Sequence, residues 1–325
     1  MFQCKPLAAA ILTLAATQAF ADLDTSSQVQ TGDYNTATVT QKNGLYGTSR
    51  NVAEQYQHGN NDTVEIYQET DSFAKAEQTQ TDTSSYNTLY VKQFATAGSS
   101  LSEQTQTNGS GNNASVSQQH SASVEAKQYQ DGNNNQASID QYGETESLAS
   151  TYQVGDWNTA SIKQTEGQGN EGYVQQYGNY NDATINQTGS SDSTAFAVQA
   201  GDGNDLTAAQ TGSVNDLYFT QAGDNNTGDF SQAGNGNEIW GMSAGDYHSV
   251  DVAQDGDALT VDAFQYGGSN NSIDIDQAGN EQYASVIQEG GSYNQATVMQ
   301  NDMQANLAFI MQSGSGNLAT VTQNQ

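Results

Sequence analysis

The side chains of this sequence that could do chemistry are amides, and they recur in one frame. Segments of the form Asn-x-Ala-x-Val/Ile-x-Gln run from Asn135 to Gln141, from Asn158 to Gln164 and from Asn181 to Gln187. An amide both donates and accepts hydrogen bonds, so a column of stacked amides can bond along its own axis. The pattern therefore predicts self-association of side chains.

The closing glutamines return every 11 or 12 residues, and the spacing stretches to 13 in places and to 16 between Gln41 and Gln57. They stand at positions 30, 41, 57, 68, 80, 93, 106, 118, 130, 141, 153, 164, 176, 187, 199, 210, 221, 232, 254, 265, 277, 288, 300, 312 and 323, and Ser243 keeps the frame between two of them. These 25 glutamines and one serine define 26 segments, or 13 pairs. A fixed return period is typical of a structural unit that is stacked on itself.

Each segment alternates between two kinds of residue. Asn, Ala, Val, Ile and Gln occupy every second position, and Thr, Asp, Ser, Lys, Tyr and Glu lie between them. A period of two indicates a β-strand with one face buried and the other in water. Turns such as Gly132-Asn133-Asn134 and Gly155-Asp156-Trp157 separate the segments, and Gly, Asn and Asp tolerate the positive φ of a tight turn. We predict an all-β fold: a β-solenoid of strand–turn–strand rungs that form two facing parallel sheets with an amyloid-like core.

The beginning of the chain has the features of a secretory signal. Lys5 precedes an apolar run, and Ala19-Phe20-Ala21 fits a cleavage site before Asp22. The expected domains are a signal peptide over 1–21 and a single solenoid over 22–325. The run is too short to span a bilayer, so no membrane insertion is expected.

The mature chain would contain neither cysteine nor proline, because Cys4 and Pro6 lie in the signal. A disulfide framework is therefore excluded, and the absence of proline suits continuous hydrogen-bonded strands. Six basic and 37 acidic residues give the mature chain a net charge of 6 − 37 = −31, with no basic residue after Lys163. Nucleic acid is excluded as a partner, because nothing would neutralise its phosphates. The regular repeat opposes the disorder that such a composition otherwise suggests.

The residues resemble a known repeat. The pattern Ser-x5-Gln-x-Gly-x-x-Asn-x-Ala-x3-Gln is that of the curlin repeats of bacterial curli fibres. Here it is supplied by Ser147, Gln153, Gly155, Asn158, Ala160 and Gln164. The segment from Ser193 to Gln210 departs from it only in Leu206.

The resemblance implies a secreted structural subunit. Such a subunit crosses the periplasm and polymerises with itself into extracellular functional amyloid for biofilm matrix, surface adhesion and aggregation. Its expected partners are a nucleator subunit and an outer-membrane secretion channel. The chain lacks the Gly-rich N-terminal segment and the basic tail of some relatives, which favours the major over the minor, nucleating subunit and leaves the secretion route open.

The resemblance also implies site residues, because the terminal repeats of short family members drive polymerisation. Carried over by position, the polymerising residues lie in the first and last rungs, and interior rungs continue the same inward ladder. The candidates are Gln30, Asn35 and Gln41 at one end, Gln312, Asn317 and Gln323 at the other, and Asn158, Gln164, Asn181 and Gln187 between them.

The sequence leaves other functions open beside the fibre. A monomeric β-solenoid with a hidden cap could serve as a binding module, an adhesin, a calcium binder through its Gly-Asp turns or an ice binder through its outward threonines. An enzyme is not expected, since His58 and His120 are assigned to turns and His248 to an inner Asn position. No cofactor is expected.

Overall fold

The chain folds into two stacked parallel β-sheets. A computed structural model describes residues 24–43, 50–70, 73–81, 85–302 and 305–324. Within these ranges there are 26 strands, arranged as two sheets of 13 strands each. The odd-numbered strands form one sheet, here the odd sheet, and the even-numbered strands form the even sheet. No helix that could cross a membrane occurs among the described residues.

The strands are short and of similar length. The odd sheet contains β1 (Thr25–Thr31), β3 (Val52–His58), β5 (Ala74–Thr81), β7 (Ser100–Thr107), β9 (Glu125–Asp131), β11 (Leu148–Val154), β13 (Glu171–Tyr177), β15 (Thr194–Ala200), β17 (Asp216–Ala222), β19 (Glu238–Asp246), β21 (Thr260–Ser269), β23 (Tyr283–Glu289) and β25 (Leu307–Ser313). The even sheet contains β2 (Thr36–Asn43), β4 (Thr63–Thr70), β6 (Thr88–Phe94), β8 (Asn113–Gln119), β10 (Gln136–Tyr142), β12 (Thr159–Thr165), β14 (Asp182–Thr188), β16 (Asp205–Ser213), β18 (Thr227–Asn235), β20 (Ser249–Asp257), β22 (Ser272–Asn280), β24 (Gln295–Asp302) and β26 (Leu318–Asn324).

The closing glutamines set the register between strands. Gln141 pairs with Gln118 on one side and with Gln164 on the other. Ser243 lies between Gln221 and Gln265. The β-solenoid of paired strands predicted from the sequence is confirmed. Insertions leave the closing residues in register. Among the described strands the register shifts only after the closing position of β19, between Ala244 and Asp246, where β21 holds an extra residue.

The core is a set of single-residue columns. Ile139, Ile162 and Ile185 stack on one another and are almost fully buried. Two of these columns each contain one phenylalanine. Phe219 of the odd sheet and Phe230 of the even sheet face each other across the core, with ring centroids 4.4 Å apart. Gly241, which is stacked on Phe219, leaves space for the phenylalanine ring. A Cβ at this position would lie only 2.6 Å from the ring of Phe219.

The turns are stacked as regularly as the strands. Gly155 has a φ of 118°, and a Cβ there would lie 1.9 Å from the carbonyl oxygen of Gly178. Only glycine fits a position with both constraints. Beside it, the Asp156 carboxylate accepts a hydrogen bond from the Asn133 backbone N–H at 2.7 Å. The acidic turn residues thus connect successive rungs.

Candidate polymerisation surfaces at the rod ends

The glutamines of the even sheet form an unbroken hydrogen-bonded ladder. Gln141 Nε2 donates to Gln164 Oε1, and Gln164 Nε2 donates to Gln187 Oε1, both at 2.9 Å. The same bond joins every pair from Gln41 to Gln323, at 2.7 to 3.0 Å. Each amide also donates across the core, as Gln164 Nε2 does to Leu148 O at 3.0 Å. Buried amides that would otherwise be costly are therefore satisfied.

The odd sheet carries a similar ladder from Gln30 to Gln312, which is interrupted once, between Gln221 and Ser243. Its glutamine bonds measure 2.7 to 3.3 Å. Ser243 is the one substitution in this column, and its Oγ donates to Gln265 Oε1 at 3.1 Å. The hydroxyl thus still bonds to the next rung.

A third ladder of asparagines lines the corner before each even strand. The backbone N–H of Asn158 donates to Asn135 Oδ1 at 2.9 Å, and that of Asn181 donates to Asn158 Oδ1 at 3.0 Å. Asn181 Nδ2 also donates to the carbonyl oxygen of Gly201 at 2.8 Å. Each amide side chain therefore fixes both a turn and the following rung.

Two ionisable residues stand in the asparagine column. His248 is buried, and its Nδ1 accepts the Asn271 N–H at 3.1 Å in place of an amide oxygen. Burial lowers the pKa of this imidazole, which keeps it neutral and able to accept. Asp62 accepts the Asn87 N–H at 2.9 Å, and burial raises the pKa of its carboxyl. Both residues continue the ladder.

A further amide column was missed in the sequence. Gln28, Gln55, Gln78, Gln104 and Gln128 stack in the first five rungs of the odd sheet, with Nε2–Oε1 distances of 2.7 to 3.0 Å. The signal was a second glutamine two residues before the closing one, which places it on the same inner face. In the last rung the same column ends in Ile310.

The glutamine ladders have a direction. Every Nε2–Oε1 bond in them runs from one rung to the next toward the C-terminal end of the rod, and of the interior closing glutamines only Gln221 Nε2 bonds solely across the core, to Asp205 O at 2.9 Å. At the N-terminal end no described residue donates to Oε1 of Gln30 or Gln41. At the C-terminal end, Gln312 and Gln323 each donate one N–H across the core, to Gln295 O at 2.8 Å and to Leu307 O at 3.0 Å. Since the other N–H of an interior ladder amide bonds to the following rung, the second N–H of Gln312 and of Gln323 is left without a described partner.

The asparagine column is polar in the opposite sense. Asn317 donates its backbone N–H to Asn294 Oδ1 at 3.0 Å, and no described residue donates to its own Oδ1. Asn35 at the other end has no described asparagine before it to accept its N–H. The glutamine columns therefore leave acceptors at the N-terminal end and donors at the C-terminal end. The asparagine column leaves a donor at the N-terminal end and an acceptor at the C-terminal end.

The end rungs are open in the part of the chain that the structure describes. β1 and β2 each pair with one strand, as do β25 and β26. Residues that are inner in every other rung are only half-buried in β26, among them Ala319, Val321 and Gln323. The candidate signal cleavage site, Ala21 and Asp22, lies outside the described residues.

The residues considered for a catalytic, metal-binding or ice-binding site do not form such a site among the described residues. His58 is the last residue of β3, so its assignment to a turn was wrong, whereas His120 does lie in a turn. No group of three His, Cys, Asp or Glu side chains suited to a metal ion occurs among the described residues. The outward column that begins at Thr38 continues with Glu65 and Tyr90 and is not a threonine array.

The fold and its ladders define a class of repeat protein, a β-solenoid with one stacked rung per repeat and complementary open ends. Within that class, the family described as curlin associated repeat matches residues 145–178, 166–189 and 268–301. The chain therefore contains segments similar to curlin repeats, as its sequence pattern predicts. No curated protein matches the chain.

Proposed function

We propose that this protein is a secreted structural subunit that adds end to end to copies of itself and forms extracellular curli-like amyloid fibres. The observation that carries the proposal is the complementarity of the ends. Nε2 of Gln312 and Gln323 points out of one end, and the other end presents Oε1 of Gln30 and Gln41. Two copies in line would continue both ladders without a change of register.

The apolar core would also continue across the junction. Extending the even-sheet register by one rung places Val39 of the next copy on Val321 and Ala37 on Ala319. The open strand edges would also gain a parallel partner. An uncovered edge presents unpaired N–H and C=O groups and is therefore a template for pairing with another chain. One column does not match, because Gln28 of the next copy would lie on Ile310.

Charge opposes this growth. Residues 22–163 hold 17 acidic and six basic residues, a net charge of −11, and residues 164–325 hold 20 acidic and no basic residues, a net charge of −20. Approaching copies therefore repel, and the repulsion is screened within about 8 Å at physiological ionic strength. Added salt should speed fibre growth.

The family supports the wider setting of the proposal. Export through the periplasm, passage through an outer-membrane channel, a nucleator subunit and a role in biofilm matrix and adhesion are what a curli-type subunit would need. We infer no catalytic activity and no cofactor, since the buried ionisable groups of the described residues, His248, Asp62 and Glu144, all accept hydrogen bonds within the stack.

The test is assembly of the mature chain after dilution from denaturant. Thioflavin fluorescence, electron microscopy and fibre diffraction should reveal fibres with a meridional spacing of about 4.8 Å along the fibre axis. Preformed fibres should abolish any lag when added as seeds. A folded chain that stays monomeric for days, with and without salt, would refute the proposed function.

A further inference from the structure

Two tyrosines on neighbouring strands of the odd sheet stack face to face on the outside of the rod. Tyr129 of β9 and Tyr152 of β11 are register partners, and their ring centroids lie 4.7 Å apart with 9° between the ring planes. Among the described residues, the only other contact between two tyrosine rings joins Tyr152 to Tyr177, at 5.7 Å and 47°. Of these two contacts, only the first brings the phenol rings face to face.

The parallel register aligns the reactive atoms of the two rings. Partner residues of a parallel pair project from equivalent backbone positions in the same direction, so the hydroxyls lie side by side and each Cε faces its counterpart. A hydrogen bond of 2.9 Å between the Tyr129 hydroxyl and Thr107 Oγ helps to fix the first ring. Desolvation, and then the nearby Tyr129 hydroxyl, raise the pKa of Tyr152, which agrees with this proximity.

Small molecules in solution can reach the pair. Both rings are half-buried, and a shallow groove of about 300 Å³ beside them is lined by Thr105, Lys127 and Ser150 as well as by the two tyrosines. The sequence has a single cysteine, so no disulfide can join two rungs of one chain. Outside the cell, where oxidising conditions make disulfides the usual covalent link, this chain offers stacked phenols instead.

We propose that this pair is a site of oxidative cross-linking, at which Tyr129 and Tyr152 couple to dityrosine and join two neighbouring rungs. The oxidant is hydrogen peroxide acting through a haem peroxidase, which removes one electron and the hydroxyl proton from each phenol while the peroxide is reduced to two molecules of water. The two phenoxyl radicals form a bond between one Cε of each ring. The hydrogen on each bonded carbon then moves to the phenol oxygen as a proton, so the protein loses two hydrogen atoms in all.

The cross-link would act as a staple between β9 and β11. It closes a loop of one full rung, and closing a loop stabilises a fold chiefly by restricting the unfolded chain. The backbone register stays as it is, because the two residues are already partners. Both strands belong to one copy and lie far from either end of the rod, so the reaction does not depend on end-to-end assembly.

Tryptic mapping tests the link, because no Lys or Arg lies between Lys127 and Lys163 or after Lys163. Freshly folded monomer is treated with hydrogen peroxide and a haem peroxidase, and peptide 128–163 should lose two hydrogens and give no backbone fragments between Tyr129 and Tyr152. At least roughly tenfold more of this looped peptide should form than from chain oxidised in urea, because rings in contact react at a far higher effective concentration. A link between peptides 128–163 and 164–325, which coupling to Tyr177 would give, contradicts the proposal.

Conservative variants identify the coupled residues. Tyr129→Phe keeps an aromatic ring in the stack but lacks the hydroxyl whose oxidation starts the coupling, so the looped peptide should disappear. The matched control is Tyr142→Phe in the same tryptic peptide, whose ring contacts His120 and lies in the even sheet, and it should give the wild-type yield. A looped peptide that persists in Tyr129→Phe, or its absence from wild-type chain while the same oxidant converts free tyrosine to dityrosine, would overturn the proposal.

Urea unfolding tests the role of the link as a staple. Cross-linked wild-type monomer should unfold at a higher urea concentration than untreated wild type, whereas peroxide treatment should not raise the midpoint of Tyr129→Phe. Equal midpoints for cross-linked and untreated wild type would contradict the stapling role.

Discussion

Gln164 in the interior and Gln323 at the end of the rod occupy the same column but differ in what lies beyond them. Gln164 accepts from Gln141 and donates to Gln187 and to a facing carbonyl. Gln323 accepts from Gln300 at 2.7 Å and donates across the core, but no described rung follows it. One residue type thus stabilises the fold in the interior and, in the proposed fibre, binds the next copy at the end.

The largest expected effect is on an interior amide. Gln164→Glu places a carboxylate opposite Gln187 Oε1 and the Leu148 carbonyl, with no exposure to water. We expect a loss of about 3 kcal/mol or more in the free energy of unfolding, because one oxygen of the buried carboxylate keeps the Gln141 donor while the other faces acceptors only. Urea unfolding of freshly prepared monomer measures it. Ser161→Glu on the outer side of the same strand is the control, and an equal loss there would contradict the ladder's role.

The same substitution at the end should act on growth instead. Gln323→Glu removes the donor proposed for Gln41 of the next copy and should slow elongation roughly 10- to 100-fold, equivalent to about 1–3 kcal/mol. Monomer stability should change little, since this rung is half-exposed. Seeded elongation rates measure the effect against Thr322→Glu, which adds the same charge to the outer side. Equal slowing by both variants would mean that charge alone is responsible.

The mismatched column offers a gain of growth at the cost of stability. Ile310→Gln would supply a donor for Oε1 of Gln28 in the next copy, worth about 0.5–1.5 kcal/mol. The critical concentration for assembly should fall about threefold to tenfold, while the free chain loses stability because the new amide lies on Val286. Ile310→Ala removes apolar volume without adding a donor. If it lowers the critical concentration as much, the proposed junction is wrong.

The smallest effect concerns a buried carboxyl in a turn of the interior. Glu144 accepts hydrogen bonds from Ser147 Oγ at 2.7 Å and Asn170 Nδ2 at 3.1 Å, yet burial raises its pKa. The folded state therefore prefers the protonated form. Its contribution to stability is greatest below the pKa of the unfolded chain and is lost as pH rises through the folded pKa.

Glu144→Gln should consequently raise the free energy of unfolding at pH 7 by up to about 1 kcal/mol and flatten its decline between acid and neutral pH. Urea unfolding at a series of pH values measures both changes. The exposed Glu146→Gln serves as the control. If Glu144→Gln leaves the free energy of unfolding and its pH dependence unchanged, the turn already stabilises the charged carboxylate and the prediction is wrong.

Most of the fold follows from the repeat alone. The period of two assigns each residue of a strand to the inner or outer side, and the return of the closing glutamine fixes which residues stack, so Gln141 had to meet Gln118 and Gln164. The column from Gln28 to Gln128 was missed because the frame was read from one glutamine per strand. His58 was misplaced because the strand extends one residue past its closing Gln57.

The sequence by itself determined the inner columns, because identical residues at a regular spacing favour one register. It did not determine the direction of the amide bonds, since a glutamine can donate either way along a column. Only the tertiary structure decided that the bonds between these amides point toward the C-terminal end, because most of the amides use their other N–H for a carbonyl of the facing sheet. Outer residues such as Tyr218 and Trp240 are 22 positions apart, and their stacking depends on which strands become neighbours.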